Sequence, residues 1–205
     1  MYEVSASINN IMLENIELLD NFELPSIDII KKATQSNGLL FICSPNNPTG
    51  TVYSLGKIKE IADSFSGIVV VDEAYIDFSN TESTTILIDS TPNLVVLQTF
   101  SKAYGLAGLR LGMAFTNPEI IQVLNKIKPP YNINTLSQLK AIEILNRMDL
   151  VKIQIAQIKT QRAELMNALK EIKWVNKIYP TQANFVLAEF ENCLLYTSPS
   201  PRDRG

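Results

Sequence analysis

The sequence predicts an α/β domain built on a mostly parallel sheet with helices packed against it, and three observations carry that prediction. Leu39 to Cys43 and Ile68 to Val71 are short, uninterrupted apolar runs of the kind found in strands buried on both faces. Between them, Leu55, Ile58, Ile61, Ala62 and Phe65 recur at helical spacing. Pro45, Pro48 and Gly67 punctuate the boundaries. Strands alternating with helices fit a sheet whose parallel neighbours are joined by crossovers.

In chain order, Ile27 to Thr34 reads as a short helix, and Gly38 releases the chain into the first apolar strand. The two prolines stop that strand. Ser54 is placed to cap the helix over Leu55 to Phe65, because its hydroxyl can accept from an orphan backbone N–H of the first turn. Gly67 ends the helix and IVVV follows as the second strand. Asn93 to Leu97 and Leu111 to Phe115 read as two more, separated by a glycine-containing stretch. After Pro118 the character changes. Glu119 to Lys128 reads as a helix, Pro129 and Pro130 break it, and helical spacing resumes over Leu136 to Met148. Val151, Ile155, Ile158, Arg162, Leu165 and Leu169 then form one stripe on a long helix reaching about Ile172. VNKIYP and ANFVLAEF read as two strands divided by Pro180. The expected division is a large domain over 1–147, the start of a small α+β domain over 148–192, and a tail over 193–205 that loses all periodicity and looks foreign to the fold.

Composition narrows the chemistry. The 205 residues are 46% hydrophobic and 19% charged, the balance of a globular chain rather than a disordered one. A net charge of -3 with no Lys/Arg stripe offers a nucleic-acid backbone no footprint. No apolar run approaches the roughly 20 residues that span a bilayer, and the start lacks the pattern of an export signal, so no membrane partner and a cytoplasmic location are expected. Cys43 and Cys193 form no C-x-x-C pair, and the absence of histidine excludes His-based triads and His-ligated metals. No metal site is expected. Chemistry must come from Lys, Asp, Tyr, Ser, Asn or Arg.

Three clusters follow predicted strands, at the strand ends where open α/β sheets bind ligands: SPNNPTG (44–50), VDEAY (71–75) and TFSKAYGLAGLR (99–110). Lys102 lies just past a strand, beside Thr99 and Ser101. An amine in a partly desolvated pocket there could form a Schiff base with an aldehyde, while Arg110 offers a forked cation that suits a phosphate. A surface lysine with an arginine salt bridge nearby would give the same residues. Asp72 follows four apolar residues, and a carboxylate so placed needs a cationic partner such as a protonated ring nitrogen. Tyr75 could reach a ring hydroxyl from the same side; a capping Asp and a packed Tyr would read alike. Asn47 sits before Pro48 in a stiff turn and could donate to a phenolate oxygen, although NNPTG alone is only a turn signal.

Taken in order, NPTG, DEAY and SKAYGLAGLRLG resemble the fold-type I pyridoxal-phosphate (PLP) dependent aminotransferases. SPNNPTG, VVDEAYIDF and TFSKAYGLAGLRLG most resemble the histidinol-phosphate aminotransferases among them. The resemblance runs to about Phe190. It implies that Lys102 is the Schiff-base lysine and proton carrier, that Asp72 pairs with the pyridine nitrogen, and that Asn47 and Tyr75 bond the ring oxygen. Thr99, Ser101 and Arg110 would hold the 5'-phosphate. Tyr131 and Asn132, in PPYNINTLSQ, match a segment near the family's substrate. The implied reaction moves an amino group between glutamate and imidazole acetol phosphate, a step of histidine biosynthesis, in a homodimer with ping-pong kinetics.

Close enzymatic alternatives share the same trio, aromatic amino-acid aminotransferases and threonine-phosphate decarboxylases; readings from other classes are a non-catalytic regulator domain of aminotransferase shape and a fragment with no function of its own. The chain also departs from the family. Met1-Tyr2 looks like the end of a PTYG-like turn, Glu189 stands where some relatives have arginine, and the family's later substrate-carboxylate arginine has no match. The resulting expectation is an internal fragment with weak cofactor binding, negligible turnover of its own and exposed apolar surface.

Overall fold

The structure, a computed structural model, describes residues 2–33 and 38–191; Thr34, Cys193 and the 193–205 tail lie outside the described residues. The sheet forms where the apolar runs predict it. Strands β1 (Leu39–Cys43), β2 (Ile68–Asp72) and β3 (Leu94–Thr99) lie side by side in parallel, and β4 (Gly112–Thr116) pairs antiparallel with β3. Cys43 stands opposite Asp72, and Asp72 opposite Leu97, so the first two strand ends are level.

β4 runs antiparallel because the connection from Phe100 to Leu111 is too short for a helical crossover. It folds instead as turns and one 3-10 helix, Ala107–Leu109. Between β1 and β2 the crossover is helix α3 (Leu55–Ser64), after α1 (Tyr2–Ile8) and α2 (Ile27–Ala33). Ser54 caps α3 as expected, its side chain accepting from the Lys57 N–H, and Phe65 is the C-terminal cap rather than part of the helix. Between β2 and β3 there is no α-helix; the segment makes 3-10 turns at Ile76–Phe78 and Thr84–Ser90. Its hydroxyls explain this: Ser83 accepts from the Thr85 N–H and Ser79 from the Thr81 N–H, local bonds that compete with a helical ladder.

The core lies on one face of the sheet. Ile42, Val69, Val71, Leu94 and Val96 meet Ile58, Ile61, Ala62 and Phe65 from α3 and Ile30 from α2. Apolar surface remains open elsewhere: Leu39 is 59% exposed on the edge strand, and Leu136 is 78% exposed.

Helices α4 (Pro118–Ile127), α5 (Thr135–Leu145) and α6 (Met148–Lys170) follow. Asn117 and Asn134 cap α4 and α5 through their side chains. Strands β5 (Val175–Ile178) and β6 (Ala188–Phe190) pair antiparallel. The strand expected over ANFVLAEF is therefore shorter, and the reason is visible. Its first half docks by side-chain bonds instead of pairing: Ala183 is fully buried with its carbonyl accepting from Arg162 Nη1 at 2.6 Å, and Phe185 meets the Tyr75 ring.

The turn that carries Asn47 is fixed from both sides. The Gly50 N–H donates to the Asn46 carbonyl and the Gln182 N–H to the Gly50 carbonyl. Gly50 has φ +73°, and a Cβ there would lie 2.1 Å from Thr181 Oγ1 and 2.9 Å from Thr181 Cα. Gly50→Ala is expected to cost about 2 kcal/mol or more, from left-handed backbone strain plus overpacking, read as a lower urea midpoint. An unchanged midpoint would show that Thr181 yields at no cost.

Candidate functional site

Each cluster begins where a parallel strand ends, and the strands themselves place the side chains. The Ser44 N–H donates to the Asp72 carbonyl and the Glu73 N–H to the Leu97 carbonyl, so parallel pairing continues one residue past the ends of β1 and β2. Beyond that the chain turns outward.

Asn47 and Tyr75 come together. Asn47 Nδ2 donates to the Tyr75 hydroxyl at 2.9 Å, which leaves the phenol proton to be given to something else. Lys102 Nζ lies 5.1 Å from the centre of the Tyr75 ring, and Phe185 meets the same ring edge-on at 5.0 Å. Residues from three strand ends thus converge on one tyrosine. Lys102 is exposed rather than partly desolvated as expected, because its neighbours do the burying: Phe100 and Ala103 anchor the turn, and Phe100 packs on Tyr104 at 4.9 Å.

Thr99 and Ser101 also meet, Thr99 Oγ1 donating to Ser101 Oγ at 3.0 Å and accepting from the Ser101 N–H. The Ser101 proton is then left to point outward. Arg110 ends the 3-10 turn in the left-handed region with φ 53°, and its exposed guanidinium donates back to the Ala107 carbonyl. Tyr131 and Asn132 lie on the connection between α4 and α5, where Tyr131 is 95% exposed; no described contact joins them to the other residues.

Asp72 is half-buried at the tip of β2. Its Oδ1 accepts from the Ala74 N–H at 3.0 Å, and its Oδ2 from the Tyr2 hydroxyl at 2.5 Å. The Tyr2 hydroxyl also lies 3.1 Å from the Cys43 thiol. Burial pushes both groups up: Tyr2 is raised well beyond the ordinary phenol value, with the Asp72 bond adding to the effect, and Cys43 is raised as well. Sequence reasoning noted Tyr2 only as the end of a PTYG-like turn and gave it no partner, since nothing in MYEVSAS marks it as bonded to a residue far along the chain. It passed over Glu73, which sits inside VDEAY yet is 2% exposed and faces inward.

The sequence matches the family described as aminotransferase class I and II over residues 1–192. The chain belongs to this family. Among curated aminotransferase relatives, it is 46% identical over 192 residues to the histidinol-phosphate aminotransferase of Christiangramia forsetii, covering 94% of this chain and 55% of that protein. It is 49% identical over 193 residues to the histidinol-phosphate aminotransferase of Flavobacterium johnsoniae, with the same coverage of each. The crystal structure of the histidinol-phosphate aminotransferase from Clostridium acetobutylicum superposes with a TM-score of 0.81 at 26% identity, over 93% of this chain and 59% of that one. The chain thus spans about half the length of the curated aminotransferases it matches.

Proposed function

We propose that this chain carries the cofactor-binding cluster of a PLP-dependent aminotransferase that interconverts histidinol phosphate and imidazole acetol phosphate with glutamate and 2-oxoglutarate. The observation that carries the reading is the convergence of Lys102, Tyr75 and Asn47 from three strand ends, with Asp72 at the tip of the middle strand. The names of the relatives support the substrate.

The residues present fit the cofactor. Asp72 uses one lone pair of each oxygen on Ala74 and Tyr2, which leaves acceptor capacity for a ring N–H. Tyr75 and Asn47 present donors to a ring oxygen, and Ser101, backed by the Thr99 hydroxyl that donates to it, and the exposed Arg110 offer a hydroxyl and a guanidinium to a phosphate. Bound there, PLP supplies an electron sink for the pair left on a substrate α-carbon. The Lys102 amine would take that proton and return it, and its exposure leaves it open to substrate. Tyr131 and Asn132 would border the substrate from the α4–α5 connection. The reading includes a large domain over 1–147, the start of a small domain over 148–192, a cytoplasmic location and a homodimer.

Titrating the chain with PLP, reducing with borohydride and mapping the peptides tests the reading. The expected result is a visible absorption band and cofactor fixed on Lys102. Label on other lysines, or no band from folded protein, overturns it. Comparing histidinol phosphate with an aromatic amino acid and with threonine phosphate as reactant separates the three substrate classes.

A further inference from the structure

We propose that Tyr2 is a positioning residue of this site: its hydroxyl, backed by the Cys43 thiol, fixes the Asp72 carboxylate in the orientation that meets the cofactor's ring nitrogen. The inference rests on the functional reading above and deepens it. Phe41 and Cys43 alternate onto the same side of β1, and Asp72 stands beside Cys43 on β2. Tyr2, at the start of α1, lies across these three residues, its ring 4.7 Å from that of Phe41.

The direction of the bonds follows from donor counting. A phenol has one proton, and an ionised carboxylate only accepts, so the Tyr2 proton goes to Asp72 Oδ2. The Cys43 S–H then donates to the Tyr2 oxygen. Burial raises both groups, so both stay protonated at neutral pH and the chain Cys43 to Tyr2 to Asp72 keeps its direction. The Ala74 N–H holds the other carboxylate oxygen. Gripped at both oxygens, the carboxylate cannot turn about its own axis. Packing against Phe41 asks only for an aromatic ring, which phenylalanine would supply; the hydroxyl has a different use.

Tyr2→Phe keeps the ring and removes that use. In a PLP titration of the full chain, the variant is expected to bind about tenfold more weakly or worse, the range for losing a hydrogen bond to a charged group, and to shift the maximum of the visible band. In an Asp72→Asn background the same substitution is expected to change affinity by less than about twofold, because the acceptor charge has gone. Cys43→Ser keeps a donor behind the hydroxyl and is expected to hold wild-type affinity, while Cys43→Ala gives a smaller loss in the same direction and carries the test if Tyr2→Phe does not fold. A wild-type chain with no band overturns the functional reading and this inference with it. A normal band with Tyr2→Phe unchanged, or weakened equally in both backgrounds, overturns the inference alone.

Discussion

Lys102→Ala is expected to remove all borohydride-fixed cofactor and, in a parent protein of full length, to reduce transamination to background, while changing stability by no more than about 1 kcal/mol. The two halves of this result have separate causes. The turn is held by buried Phe100 and Ala103 and by the bonds from the Phe100 N–H to the Leu111 carbonyl and from the Leu106 N–H to the Phe100 carbonyl, none of which involves the Lys102 side chain. What the side chain does touch is the Tyr75 ring, and an exposed cation over an aromatic face contributes about 0.5–1 kcal/mol. Among the described residues, Lys102 is the lysine recorded against the Tyr75 ring, whereas Lys57 is paired with Glu60, Lys159 donates to the Ser79 carbonyl and Lys177 to Asn21. Lys102→Arg separates charge from nucleophilicity: it keeps a cation over Tyr75 and is expected to be as inactive as alanine. Retained label in either variant, or full activity in the arginine variant, would remove Lys102 from the reaction.

The parts of this site that could be read from sequence are those fixed by local pattern. IVVV is a strand buried on both faces as its unbroken apolar run predicts, LLFIC forms a strand too but at the sheet edge with Leu39 and Phe41 exposed, and Asp72 falls at a strand tip because it is the first charge after such a run. The Pro-rich turn placed Asn47 in the same way. Residues whose roles come from distant partners could not be read. Tyr2 meets Asp72, Cys43 and Phe41 through one side chain reaching from the start of α1, and the antiparallel turn of β4 depends on the length of the connection before it. The first half of ANFVLAEF reads as strand from its alternation, yet Arg162 claims the Ala183 carbonyl, and Tyr75 the Phe185 ring. Tertiary contacts outweighed local propensity there.

Glu73 has the largest expected effect on stability for a residue that sequence reasoning left unremarked. Its buried carboxylate accepts from Ser83 Oγ, the Thr84 N–H and Thr84 Oγ1, each at 2.6 Å, and from Gln98 Nε2 at 2.9 Å. Glu73→Ala strands donors from three residues in a space too enclosed for easy hydration, and each stranded donor costs about 1–3 kcal/mol. Partial relaxation brings the expected total to about 3–5 kcal/mol, measured by urea denaturation. Glu73→Gln keeps the volume but turns an amide N–H toward groups that are themselves donors, so it is expected to recover only part of the loss.

The consequence reaches past stability, because the Ser79–Thr84 segment tied down by Glu73 is also where the C-terminal elements dock. Arg162 donates to the Phe78 carbonyl, Lys159 to the Ser79 carbonyl, and the Asn80 N–H to the Gln182 side chain. Releasing the segment loosens α6 and the turn at Thr181–Gln182 that holds Gly50, and with it the turn carrying Asn47. Glu73→Ala is therefore expected to weaken cofactor binding although Glu73 touches none of the proposed ligand-holding groups. A variant less than 1 kcal/mol destabilised would show that the hydroxyls of Ser83 and Thr84 find other acceptors, and that the segment is held by α6 rather than by Glu73.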